Sequence, residues 1–208
     1  SLNYAGTYRK SESDSSFFIS VTQNLPGGND AGTGAFEGDV AVVPVRPPAR
    51  AGANPRYFLT RWGFNHNRAL PRDWQVRLGM NGQLTRDMLI SGEQFGIGGA
   101  DSVRGFLERE IINDNGYRGT LEVYSPDFGS VVRITGARLR ALLFYDWGAV
   151  KRIRPDVLEG HGQHVSSLGF GFRFSRGTNL SIRLDAATVM DSGGLQKIGD
   201  VRAHLSLA

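Results

Sequence analysis

The residue with the most specific chemistry is a single cation, Arg104, inside the stretch QFGIGGADSVRGFLERE at residues 94–110. Its side chain holds a charge that no accessible pH removes, presented as a planar fork that fits a carboxylate. Gly96, Gly98 and Gly99 precede it, and they let the backbone turn sharply without a Cβ penalty. Candidate acceptors follow at Glu122 and Asp146. Alternation puts both on the polar faces of successive strands, Tyr117–Tyr124 and Ala137–Val150, and adjacent antiparallel strands can bring such groups within side-chain reach. A loop bending inward would set Arg104 against Asp146, with Glu122 as a second acceptor. Gly105 would let the loop backbone approach the wall closely, and Val103 and Phe106 would pack against it. Removing one partner of such a partly dehydrated pair leaves an unpaired charge, at a cost on the order of 3–5 kcal/mol.

No other constellation has this character. His161 and His164 stand three residues apart with Asp156 and Glu159 nearby, but their loop is Gly-rich and offers no organised third ligand, so a solvated loop is expected and no metal. The chain has no Cys, which excludes a disulfide framework and thiolate metal sites. No nucleophile elbow or ordered Ser/His/Asp set occurs, so no enzyme is expected. The glycines at 96–99 lack the helix and Lys of a phosphate cradle, and no cofactor is expected. Lys plus Arg (24) and Asp plus Glu (20) are nearly matched, for a net charge of +4, and their interspersion argues against a nucleic-acid partner. Arg183 and Asp185 share one face and are expected to pair as wall charges. The RPPAR segment at 46–50 reads as a stiff loop rather than a polyproline ligand.

The elements that position Arg104 are strands. The 208 residues suffice for one domain. Glycine is abundant (28) and so are aromatics (10%); with period-two alternation throughout, they make the chain all-β. In Trp74–Thr85, Trp74, Val76, Leu78, Met80 and Leu84 oppose Gln75, Arg77, Asn81, Gln83 and Thr85. In Val165–Ser175, Leu168, Phe170, Phe172 and Phe174 oppose Ser167, Gly169, Gly171 and Arg173. Further strands at Leu2–Arg9, Ser16–Asn24, Tyr57–Asn65, Thr178–Met190 and Gly199–Ala208 bring the count to about nine. Leu25–Pro55, punctuated by prolines, reads as a large loop in which Val40–Val45 could form a short edge strand. The central loop runs from about Arg86 to Gly116. Connections alternate short and long, as in a transmembrane barrel. The polar face is rich in arginine (Arg61, Arg77, Arg138, Arg140, Arg173 and Arg183). A soluble β-sandwich alternates as well, and the pattern alone leaves both open. Either way the register is fixed: slipping Ala137–Val150 by one residue would turn Arg138 and Arg140 to lipid, at about 2–4 kcal/mol each near the midplane.

FGIGGADSVRGF (95–106), TLEVYSP (120–126) and LFYDWGAV (143–150) resemble the C-terminal barrel of the polypeptide-translocating outer-membrane superfamily. SVRGF resembles the motif on the long loop that folds back into the lumen. FYDWG, with Phe144, Asp146 and Gly148, resembles a Phe-x-Asp-x-Gly motif on a following strand. EQFGIGGADSVRGF as a block, VRLGMNGQL (76–84) and GDVRAHLSL (199–207) are similar to the two-partner-secretion branch, the haemolysin secretion/activation proteins. The resemblance implies an antiparallel transmembrane β-barrel of the bacterial outer membrane, with a long loop in its lumen. It implies a pore that passes a large, unfolded exoprotein of haemolysin or adhesin type, with Arg104 as a latch on Asp146 and Glu122. Residues 1–208 would be the C-terminal part of the translocator domain. The N-terminal part of the barrel and the periplasmic domains of the family are not visible here, and they are expected as partners of this portion along with outer-membrane lipid. The rivals are a barrel-assembly insertase of the same superfamily, a passive porin and a soluble β-sandwich binding module.

Overall fold

Alternating strands that follow one another in sequence pair with their neighbours, and the chain folds as an antiparallel meander whose first and last strands each keep one edge unpaired among the described residues. The computed structural model describes residues 1–27, 36, 50, 52–155, 160–178 and 180–207. Eleven strands are present among them: β1 (Leu2–Lys10), β2 (Ser13–Gln23), β3 (Phe58–Ala69), β4 (Gln75–Thr85), β5 (Phe95–Ile97), β6 (Ile111–Asn113), β7 (Asn115–Tyr124), β8 (Ala137–Lys151), β9 (Gly162–Arg176), β10 (Leu180–Asp191) and β11 (Val201–Leu207). Nine form one antiparallel sheet in the order β1-β2-β3-β4-β7-β8-β9-β10-β11, while β5 and β6 pair only with each other. The class is all-β, as the alternation predicts.

β1–β2, β3–β4, β7–β8 and β9–β10 are joined at one end of the sheet, and β2–β3, β4–β7, β8–β9 and β10–β11 at the other. The stretch 86–116 is not loop throughout. It holds the β5–β6 hairpin, whose three-residue strands are too short to show a period. β3 runs on to Ala69, past the Asn65 at which its apolar signal stops, because His66, Asn67 and Arg68 still pair with β2 and β4. Trp74 lies just outside β4. Val40–Val45, most of RPPAR, Asp156, Glu159 and Asn179 lie outside the described residues.

One face of the sheet is apolar and open. Val123, Leu143, Phe170, Ala186 and Ala203 form one continuous row across five strands, and Leu143, Phe170 and Leu205 are among many large exposed apolar side chains. Large continuous apolar faces mark a partner surface. On the same face Trp62 lies over Gly82 and Trp147 over Gly119, where a Cβ would come within 2.4 and 2.2 Å of the indole rings. A soluble sandwich would bury this face under a second sheet. Among the described residues the only other sheet is β5–β6, and it packs on the opposite, polar face: Ile97, Val103, Phe106 and Ile111 form one core with Val150, Val165 and Val189.

Candidate functional site

The segment carrying Arg104 is shaped by its glycines. Gly98 and Gly99 both hold φ of +106°, and a Cβ at Gly98 would sit 2.3 Å from the Leu107 carbonyl oxygen, so the loop can close on itself there. Ser102 N donates to Gly99 O (3.1 Å), and Arg109 N to Gly98 O (3.3 Å). Glu110 then ties the loop to the connection after β10, accepting from Leu107 N (2.7 Å) and Leu195 N (2.6 Å). Burial alone would raise the Glu110 pKa, but these backbone donors outweigh it and hold the carboxyl below its usual range.

Arg104 enters the polar face and is 2% exposed. Its Nε donates to Asp146 Oδ2 at 2.7 Å and its Nη2 to Asp146 Oδ1 at 2.7 Å, a bidentate fork. Its backbone N–H donates to the same Oδ2 at 3.1 Å. Nη1 reaches Glu122 Oε1 at 2.8 Å, and Nη2 also reaches Thr120 Oγ1 at 3.0 Å. Asp185 Oδ2 lies 3.6 Å from Nη1. The guanidinium carbon stands 3.4 Å from the Phe144 ring centroid, a cation–π contact in a dehydrated setting. Burial works against the cation; Asp146, through hydrogen bonds and charge, and then Glu122 and Asp185 outweigh it, and the pKa is raised.

The strands are cut to fit this cluster. Register sets Thr120 opposite Asp146 and Glu122 opposite Phe144, so both carboxylates flank the cation on one face. Gly169 stands opposite Phe144, and a Cβ there would come within 2.3 Å of its ring. Gly105, at φ +101°, brings the loop backbone close: a Cβ there would lie 3.5 Å from Ser167 Cβ and 3.7 Å from Ala187 Cβ. Gly148 sits beneath Ile97, whose Cδ1 would be 3.4 Å from an added Cβ. Val103 and Phe106 are fully buried in the core they share with β8–β10. The structure thus brings Arg104, Asp146 and Glu122 together, with the motif residues Val103, Gly105, Phe106, Phe144 and Gly148 around them.

Several members are not legible from residue types alone. Tyr124 donates its hydroxyl to Glu122 Oε2 at 2.7 Å. Arg173 forks onto Asp185 at 2.7 and 2.9 Å. Arg183 does not pair with Asp185 but with Asp101 of the inserted loop, at 3.1 Å. The reason is register: Arg183 and Arg173 stand directly opposite each other, and like charges so placed lean apart. Register would have exposed this, but it needs both turn lengths. His161 and His164 are exposed.

A second buried acid lies near the long-loop end. Asp114, 0% exposed, accepts from Leu89 N (3.0 Å), Ile153 N (2.8 Å) and Gln94 Nε2 (3.4 Å). Arg50 grips it from both guanidinium ends, Nη1 to Oδ1 and Nη2 to Oδ2. Burial alone would raise the Asp114 pKa, but Arg50 and the two backbone donors hold it low.

Comparison with known proteins adds a family. The family model of the haemolysin secretion/activation proteins ShlB/FhaC/HecB matches residues 12–174. The heme/hemopexin transporter protein HuxB of Haemophilus influenzae is 27% identical over 146 residues, covering 66% of this chain and 25% of HuxB. HuxB of strain 86-028NP is 26% identical over 152 residues, covering 69% of this chain and 26% of HuxB. Among solved structures, CdiB from Escherichia coli superposes with a TM-score of 0.73 at 16% identity, covering 97% of this chain and 34% of CdiB. CdiB from Acinetobacter baumannii gives 0.52 at 16% identity, covering 99% of this chain and 40% of that one. The chain therefore spans about a quarter of the length of the curated relatives it matches, and its sheet has the fold of part of a transporter barrel.

Proposed function

The chain belongs to the haemolysin secretion/activation family ShlB/FhaC/HecB, and on that premise we propose that it forms part of a pore secreting a large partner exoprotein, with the Arg104 loop as its latch. Proteins of this family are β-barrels of the bacterial outer membrane, and that is where this chain resides. Residues 1–208 are the C-terminal part of the translocator barrel, and the remaining strands and the periplasmic domains come from the rest of the transporter. The passenger crosses unfolded. The loop occupies its path until the Arg104 cluster releases.

One observation carries this reading. A cation 2% exposed is held bidentately by Asp146 and again by Glu122, yet it comes from a loop and not from the wall. A strut that only stiffened the barrel needs no polar tether, since buried ion pairs are often replaceable by apolar packing without loss of stability. A tether that must let go does need one. The test is secretion of the passenger by Arg104→Ala and Asp146→Ala variants of the full transporter, with barrel insertion read separately as heat-modifiable gel mobility. Loss of secretion with the folded band retained supports the latch. Normal secretion in both variants ends it.

A further inference from the structure

The inserted loop does not fill the polar side evenly. Its apolar side chains lie on Val150, Val165 and Val189, against β8–β10. Across from that contact a cavity of about 290 Å³ remains between the loop and the wall formed by β2, β3, β4 and β7, with Phe18, Arg61, Asn81 and Arg118 on the wall and Phe95 and Arg109 on the loop.

Three cations border this cavity, and they are matched unequally. Arg61 is paired with Glu93 at 2.7 Å. Arg109 and Arg118 have no carboxylate at ion-pair distance among the described residues, although Glu108 and Asp101 of the loop act on Arg118 from farther away. Each instead donates to a backbone carbonyl, Arg109 to Gln94 O at 3.1 Å and Arg118 to Gly96 O at 3.5 Å. Those carbonyls belong to alternate residues, one just before β5 and one inside it, and so point to one side of that strand. β5 pairs with β6 alone, so one of its edges has no strand partner. Charged side chains over an open edge are how sheets keep such edges from pairing. Arg109 reaches its position from a φ of +49°, rare for a residue other than glycine. Gly96 makes the room: a Cβ there would lie 3.1 Å from Arg109 Cγ.

We infer that this cavity is a contact site for an extended segment of the passing polypeptide, its carboxylates taken by Arg109 and Arg118 and its backbone lying along β5. The inference rests on the secretion reading above and adds the side of the lumen on which the chain runs and the charge it prefers. An extended chain can take over both roles: its acidic side chains draw Arg109 and Arg118 off the Gln94 and Gly96 carbonyls, and its backbone donors then reach the edge those arginines had covered.

The test uses the full transporter with a passenger stalled by a folded C-terminal fusion. A photo-crosslinking residue is placed at Asn81 on the cavity wall, at Ala187 beneath the loop, or at Leu143 on the lipid face, and each variant is checked for a folded heat-modifiable band. Passenger adducts at Asn81 and none at Leu143 are expected. Adducts at Ala187 but not at Asn81 would overturn this inference and leave the secretion reading standing. Absence of adducts at both lumen positions would overturn both. Arg109→Glu combined with Arg118→Glu should lower the Asn81 adduct roughly fivefold or more. An unchanged yield would overturn the assigned charge preference.

Discussion

Two buried aspartates show how differently the same ion pair can be used. Asp146 and Asp114 are both 0% exposed, and each is gripped by an arginine from a distant stretch of chain. Asp146 belongs to the wall, on β8, and three of its four protein donors are groups of Arg104, the fourth being the Thr120 hydroxyl at 2.5 Å. Take the loop away and Asp146 keeps only a hydroxyl. Asp114 is different. It lies between β6 and β7 and draws backbone N–H groups from residues 89 and 153 besides Arg50, so it fastens three connections at one end of the sheet. The first site joins a single loop to the wall. The second holds irregular backbone in place, where a buried unsatisfied N–H would be costly.

The contrast makes graded predictions. Asp146→Ala should have the largest effect on transport, lowering secretion by more than tenfold while the folded heat-modifiable band persists. Asp114→Ala should instead lower stability, by about 3 kcal/mol, and secretion only in proportion to the folded barrel. If Asp114→Ala blocks transport in fully folded barrels, the division between the two sites fails. Glu122→Gln comes next. It keeps an acceptor for the Tyr124 hydroxyl but removes a charge from the cation, and secretion should fall a few-fold, corresponding to about 1 kcal/mol.

Acid separates the sites more gently. Asp114 and Glu110 both have depressed pKa values. An acid depressed in the folded state stabilises it above its unfolded pKa, near 4, and that contribution is lost as pH falls through the lower folded value. The unfolding temperature of the barrel should therefore drop on acidification below about pH 4, and Asp114→Asn should flatten that slope at the expense of stability at neutral pH. A slope unchanged in Asp114→Asn would remove Asp114 from the account. The smallest effect is expected at Asp73, whose exposed fork with Arg140 is screened by solvent; Asp73→Ala should leave the unfolding temperature and secretion unchanged.

How much of this was written in the sequence depends on the period of the signal. The long strands announce themselves because lipid and lumen impose opposite chemistry on alternate residues, as in β8, where Leu143 and Tyr145 are exposed and Phe144 and Asp146 are buried. Arg104 stood out because a lone guanidinium in a glycine-rich loop had two carboxylates on facing strands. The Arg50–Asp114 pair gave no such sign. Arg50 ends a proline-rich stretch that reads as stiff loop, and the two residues are 64 positions apart with no strand register between them. The Arg173–Asp185 pair needed the exact stagger of β9 on β10, which a turn one residue longer would change.

The central claim is that the loop is held by Arg104 and must leave its place for the passenger to cross. Because the chain has no Cys, a Gly105→Cys, Ala187→Cys pair can lock it: a Cβ at 105 would lie 3.7 Å from that of Ala187, within disulfide range. Passenger secretion by the full transporter should stop when this pair is oxidised and return on reduction, with each single variant secreting equally in the oxidised and reduced states. Equal secretion by the oxidised and reduced pair, with the disulfide confirmed by gel shift, would contradict the account.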